Sequence, residues 1–170
     1  YGRGRESDFI VSVTGYCHGA IDREVNAHVA FTNAGDGLIL HRIQVDKDGN
    51  KIGCDYRWPY EAPVAGYVDQ YDYKVKMNPS SEGRILPERS DEKNYIFRIR
   101  SRIEPGTGKV LSAMYGKVMK SLRFDFCDNE HIEMYMTYYL NPTSNDRNLE
   151  FDPKKNLFKN LGEFEQVYEP

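Results

Sequence analysis

Residues 94–103 read NYIFRIRSRI, and the alternation in that run decides the fold class. Phe97, Ile99, Ser101 and Ile103 fall on one side of an extended chain, and Arg98, Arg100 and Arg102 fall on the other. A period of two, apolar on one side and charged on the other, marks antiparallel sheet with one solvated face.

The same signature recurs outward from this strand. HIEMYMTYYL (131–140) alternates Ile132, Met134, Met136 and Tyr138 with Glu133, Tyr135, Thr137 and Tyr139. DFIVSVTGY (8–16), VNAHVAFT (25–32), GLILHRIQV (37–45), KIGCDYRW (51–58) and YDYKVKM (71–77) are short, rich in β-branched or aromatic residues, and bounded by turn formers. KVLSAMYGKVMKSLRFDF (109–126) is long enough for two strands, or for one bent at Gly116. Helical spacing can be drawn through 112–122, but Gly116 and the flanking turns oppose it. The C-terminal LFKNLGEFEQVYEP is expected to hold a turn of helix or an edge strand.

These runs predict an all-β chain with little helix: an antiparallel β-sandwich of eight or nine strands, with jelly-roll-like or Ig-like two-sheet packing. A barrel with the same strand count shares the pattern. One domain is expected over 8–170, after a flexible polar segment over 1–7. The opening at Tyr1 in YGRGRESD is what a trimmed product would show once a targeting segment had been removed.

The chain has 170 residues, enough for one domain with a real core. Its 13 tyrosines and 8 phenylalanines agree with a strand-rich fold. Lys+Arg number 23 against 26 Asp+Glu, a formal charge of −3, so no basic field would attract nucleic acid. No apolar run approaches the ~20 residues of a spanning helix, which predicts a soluble domain with no membrane-spanning segment. Cys17, Cys54 and Cys127 form no CxxC pair and are expected to be buried or free thiols, with at most one internal disulfide.

Chemistry-bearing motifs are scarce. QVDKDGNKIGC (44–54) places Asp46, Asp48 and Asn50 at calcium-loop spacing, but Lys51 stands where the loop glycine belongs and Arg57 where the bidentate glutamate belongs. The stretch reads as a hairpin corner. LNPTSNDRNLEFDPKKN (140–156) is rich in oxygen ligands, yet Arg147, Lys154 and Lys155 interrupt it, so a structured surface loop is expected. His18, His28, His41 and His131 show no HxH or HExxH spacing. Cys17 and His18 would point to opposite faces of a strand, and no serine has the Gly-x-Ser-x-Gly frame. Glu133 and Asp55 lie near aromatic residues and are the carboxylates a glycosidase could use. No catalytic residue, metal or cofactor is assigned.

The densest aromatic cluster is YRWPYEAPVAGYVDQYDY (56–73). Tyr56, Trp58, Tyr60, Tyr67 and Tyr71 on a loop stiffened by Pro59 and Pro63 suit stacking on sugar rings or on a partner's apolar surface. Arg98 and Arg100 could hold an anionic ligand such as an acidic sugar. Two structural alternatives stand beside these: the rings cap one end of the core, and the arginines pair across the sheet. The expectation is a non-catalytic, extracytoplasmic binding module (secreted, periplasmic or at the cell surface) with a carbohydrate or protein ligand. Two other classes fit the same residues: a carbohydrate-active hydrolase or lyase with an Asp/Glu or Tyr/Arg site, and a structural domain of a larger surface assembly.

Overall fold

The computed structural model describes residues 7–42, 46–48, 50, 59–80, 93–126, 130–158 and 160–162. Among them are seven strands: β1 (Phe9–Cys17), β2 (Arg23–Phe31), β3 (Gly37–Arg42), β4 (Gln70–Met77), β5 (Lys93–Ile103), β6 (Val110–Phe126) and β7 (Ile132–Asn141). A 3-10 turn, Pro153–Lys155, follows β7. The strand expected over 51–58, most of the flexible N-terminal segment, Cys54, Cys127, and the aromatic residues Tyr56 and Trp58 lie outside the described residues, as does most of the C-terminal run from 157. Cys17 carries a free, half-buried thiol.

The strands form two antiparallel sheets, ordered β1-β2-β4 and β3-β5-β6-β7, one of them curled into a half-barrel. The chain is therefore all-β with two-sheet packing. The stretch 110–126 is one strand of 17 residues. It pairs with β5 through its first half and with β7 through its second, and its irregularity falls between Met119 and Arg123 rather than at Gly116. A Cβ at Gly116 would run into the Phe97 ring and the Tyr139 carbonyl oxygen, so glycine here lets neighbouring strands and a core ring come close.

Alternation sends Val25, Ala27 and Val29 of β2, with Tyr73 and Val75 of β4, against Tyr95, Val118, Leu122 and Phe124 of the larger sheet. Each buried valine, leucine or phenylalanine in this set contributes about 1.5–3 kcal/mol of burial free energy. The sheets are joined along one side. Val68 exchanges backbone hydrogen bonds with Leu38 of β3 (2.9 and 3.0 Å), and Asp69 then accepts from the Phe31 N–H at 3.0 Å as the chain enters β4 beside β2. On the other side β1 pairs only with β2 and β7 only with β6 among the described residues.

The larger sheet has a second, smaller core on its outer face: Ala62, Ile96, Ala113, Tyr115 and Leu149, with Tyr67 and Val110 packed against them. Two segments cover this face and are pinned to each other. The Ala62 N–H donates to the Arg147 carbonyl at 2.8 Å, and the Leu149 N–H donates to the Tyr60 carbonyl at 2.9 Å. The Arg147 guanidinium adds bonds to the Ala62 carbonyl at 2.9 Å and the Glu61 carboxylate at 2.6 Å.

That cover changes the reading of the arginine stripe. Arg98, Arg100 and Arg102 do not form one solvated row. Arg98 is 9% exposed beneath the 59–68 segment, where its Nε donates to the Gly35 carbonyl (2.6 Å) and its Nη1 to the Val64 carbonyl (3.2 Å). A β-bulge then interrupts β5: the register with β6 runs Ile99↔Met114, then Arg102↔Ser112, leaving one extra residue on β5. Arg100 sits in this bulge with φ 55, a left-handed conformation uncommon for a residue with a side chain.

The two polar stretches are turns held by their own side chains. The Asp46 carboxylate accepts from the N–H groups of Asp48 and Asn50 at 2.9 and 2.8 Å, consistent with a corner. In the second stretch, Asn145 takes the left-handed conformation and bonds along β6 at Leu111 and Ala113, while Asp146 and Asn148 accept from Asn148 and Glu150. The side-chain hydrogen bond with Asn141, with the Asn148 N–H behind it, holds the Asp146 carboxyl below the usual carboxylate range.

Candidate functional site: an apolar cavity between the sheets

A cavity of about 380 Å³ opens between the sheets, toward the side where β1 and β7 lack further pairing among the described residues. Its walls are set by strand alternation. Phe9 comes from β1, Val29 and Phe31 from β2, Tyr95, Phe97 and Ile99 from β5, and Val118 and Leu122 from β6. The remaining wall is β7, whose Met134, Met136, Tyr138 and Leu140 point in; Leu38 of β3 and Phe158, from beyond the 3-10 turn, complete the lining. The apolar face of β7 is not fully covered: Ile132, Met134 and Tyr138 keep 37%, 39% and 40% of their surface exposed. A face that sequence alternation assigns to a core is here the accessible wall of a cavity.

Polar groups stand at the rim. Asp8 and Arg100 both line the cavity and form a two-point ion pair, Nε to Oδ1 at 2.9 Å and Nη2 to Oδ2 at 3.2 Å. The bulge aims Arg100 there. Tyr95, Phe97 and Ile99 alternate into the cavity, so an unbroken strand would turn residue 100 away from it. The bulge is held by Asp36, 2% exposed, whose carboxylate accepts from the Arg100 N–H at 2.9 Å, the Ser101 N–H at 2.7 Å and the Asn33 side chain at 3.1 Å. One buried carboxylate thus fixes two successive amides of the bulge.

The sequence candidates separate in space. Tyr71 and Tyr95 meet edge to face across the core at 5.3 Å, with their hydroxyls 3.3 Å apart; burial pushes both phenols above the ordinary tyrosine range. Tyr67 belongs to the outer core: its hydroxyl donates to the Pro63 carbonyl at 2.9 Å and the Arg98 guanidinium stacks 4.3 Å above its ring. Burial, with Tyr115 beside it, pushes its phenol up as well. Tyr60 is 76% exposed. Tyr67 and Arg98 form one buried contact on the outer face, whereas Arg100 belongs to the cavity rim. Asp8 carries no sequence signal of its own, and alternation marks Phe97, Met134 and Met136 only as the apolar face of their strands. The available signal was the pair of methionines on one face of β7, since flexible thioethers suit surfaces that accommodate varied shapes.

A second unusual group lies on the outer face. Lys117 of β6 is 3% exposed, its Nζ is 5.0 Å from the centre of the Tyr139 ring, and burial pulls its ammonium down to about 8, opposed by Glu150. Among the described residues no group of three or more His, Cys, Asp and Glu is placed to hold a metal ion, and no helix is long and apolar enough to cross a membrane. Comparison of the chain with protein-family models, with curated proteins and with solved structures returned no match, so the chemistry of the cavity is read from its own residues.

Proposed function

We propose that this domain is a non-catalytic binding module whose ligand is a small apolar or amphipathic molecule held between the two sheets. The observation that carries this reading is the 380 Å³ cavity walled by aliphatic, aromatic and methionine side chains, with its charged groups confined to the rim. That volume falls within the roughly 300–1,000 Å³ typical of small-molecule sites, which share this apolar lining with a few orienting polar groups. A void of this kind forfeits packing on the order of several kcal/mol, a large fraction of a domain's net stability, and an apolar ligand restores it.

A carbohydrate ligand, expected from the 56–73 cluster, retains one favourable observation: the exposed ring of Tyr60 on a segment pinned by Arg147. The two readings separate in one titration. A neutral solvatochromic dye is expected to bind saturably at one site, to be lost in Met136→Trp, which fills the cavity, and to be indifferent to Tyr60→Ala. Dye binding that survives Met136→Trp, or no binding at all, refutes the cavity reading. Oligosaccharide binding abolished by Tyr60→Ala would favour the other.

A further inference from the structure

We infer that the ligand is an anionic amphiphile, a single acyl chain in the cavity with its carboxylate on the Arg100 guanidinium; this deepens the cavity reading and rests on it. Three features select that class. The bulge spends an unfavourable backbone conformation, φ 55, on directing a charged side chain to an apolar opening. Strained backbone held by surrounding structure is characteristic of ligand-binding positions. Here Asp36 supplies the hold through the Arg100 and Ser101 amides.

The second feature is the asymmetry of the rim pair. The Arg100 side chain keeps 45% of its surface exposed and Asp8 keeps 21%. The more exposed member of the pair at the cavity mouth is therefore the cation. An ion pair this open is worth only about 0–1 kcal/mol, so an incoming carboxylate can replace Asp8 on the same edge of the guanidinium at small cost. Arginine suits that exchange because its planar fork takes a carboxylate at two points. The third feature is adjacency. Ile99 precedes Arg100 in the chain and lines the cavity with it, so a headgroup bound at the rim leaves its chain directed along the apolar wall. The neighbouring Arg98 is committed to the Gly35 and Val64 carbonyls and does not compete.

Calorimetric titration of the full chain with dodecanoate, dodecanol and dodecylammonium, each as monomer and at a pH where the carboxylate is ionised, tests this. Dodecanoate is expected to bind at least about tenfold more tightly than dodecanol, the value of one charge-assisted hydrogen bond. Dodecylammonium should be weakest. Arg100→Gln should bring dodecanoate to the level at which the same variant binds dodecanol, and that dodecanol binding reports that the cavity is intact. Asp8→Asn, which removes a carboxylate that pairs with Arg100, should tighten dodecanoate alone. Dodecanol binding with no carboxylate preference, or a preference that survives Arg100→Gln, overturns the headgroup assignment and leaves the cavity reading standing. Failure of all three amphiphiles to bind overturns both.

Discussion

Replacing Lys117 with methionine should stabilise this protein at neutral pH, and the gain should vanish in alkali. Lys117 sits across from Ile96 and Tyr139 on the outer face of the larger sheet and is 3% exposed. Burial lowers its ammonium from 10.5 to about 8. The unfolded chain therefore holds this proton between about pH 8 and pH 10.5 while the folded chain has released it. Stability rises with pH wherever the unfolded state binds more protons, so the penalty is full below pH 8 and is relieved through that window. At about 1.4 kcal/mol per tenfold, the penalty is at most about 3 kcal/mol. Methionine keeps the packing volume but gives up the contact with the Tyr139 ring, worth about 0.5–2 kcal/mol. The net expectation is a gain of about 1–2 kcal/mol at pH 7 in Lys117→Met. Urea unfolding at steps from about pH 7 to about pH 10.5 measures it, read as the difference between wild type and variant. Other titrations cancel in that difference. Tyr71 and Tyr95, whose phenols are raised by burial, instead favour folding below the ordinary tyrosine value and lose that contribution as pH rises past it. A difference that stays constant across the window, or a variant less stable than wild type at every pH, would refute the reasoning.

Three further substitutions probe the frame. Asp36→Ala leaves the Arg100 and Ser101 amides without their acceptor, and at about 1–3 kcal/mol for each donor left unpaired it should cost at least about 2 kcal/mol in urea unfolding. Hydrogen exchange at those two amides should quicken at the same time. Gly116→Ala places a methyl group against the Phe97 ring and the Tyr139 carbonyl, and should lower stability by about 1–3 kcal/mol; an unchanged unfolding midpoint would show that β6 and β7 move apart freely. Arg147→Gln removes the guanidinium bonds to Ala62 and Glu61, so limited proteolysis should cut residues 59–68 faster than in wild type, while cavity binding of a neutral dye stays the same.

The fold was legible in the sequence because period-two alternation reports which strand faces are buried. β1, β2, β4, β5 and β7 begin and end within two residues of the runs that announce them. The alternation does not report what does the burying. Arg98 reads as a solvated residue because it alternates with Phe97 and Ile99, yet loop segments far from it in sequence cover that face. Ile132, Met134 and Tyr138 read as core for the same reason, yet all three keep more than a third of their surface exposed, and Met134 and Tyr138 line the cavity. The bulge at Arg100 leaves no signature in 94–103 because the carboxylate that holds it, Asp36, stands 64 residues away in the chain. Aromatic density at 56–73 pointed to a platform. Tyr67 and Tyr71 instead satisfy their hydroxyls internally, as tyrosines do when most of the ring is buried.

Arg100 gives the sharpest separation of stability from function. A left-handed conformation costs a residue with a side chain roughly 1–2 kcal/mol relative to glycine. Against that, glycine loses about 0.5–1 kcal/mol more conformational freedom on folding, and removing the exposed pair with Asp8 forfeits about 0–1 kcal/mol. The Asp36 bonds go to backbone amides and survive the change. Arg100→Gly should therefore leave the unfolding free energy within about 1 kcal/mol of wild type. The same variant should lose the preference for dodecanoate over dodecanol. Stability unaltered with selectivity gone would mean that arginine stands at this strained position because of what it meets at the cavity mouth. A loss of more than about 2 kcal/mol would instead make the Arg100–Asp8 pair a structural latch between the start of β1 and the bulge of β5.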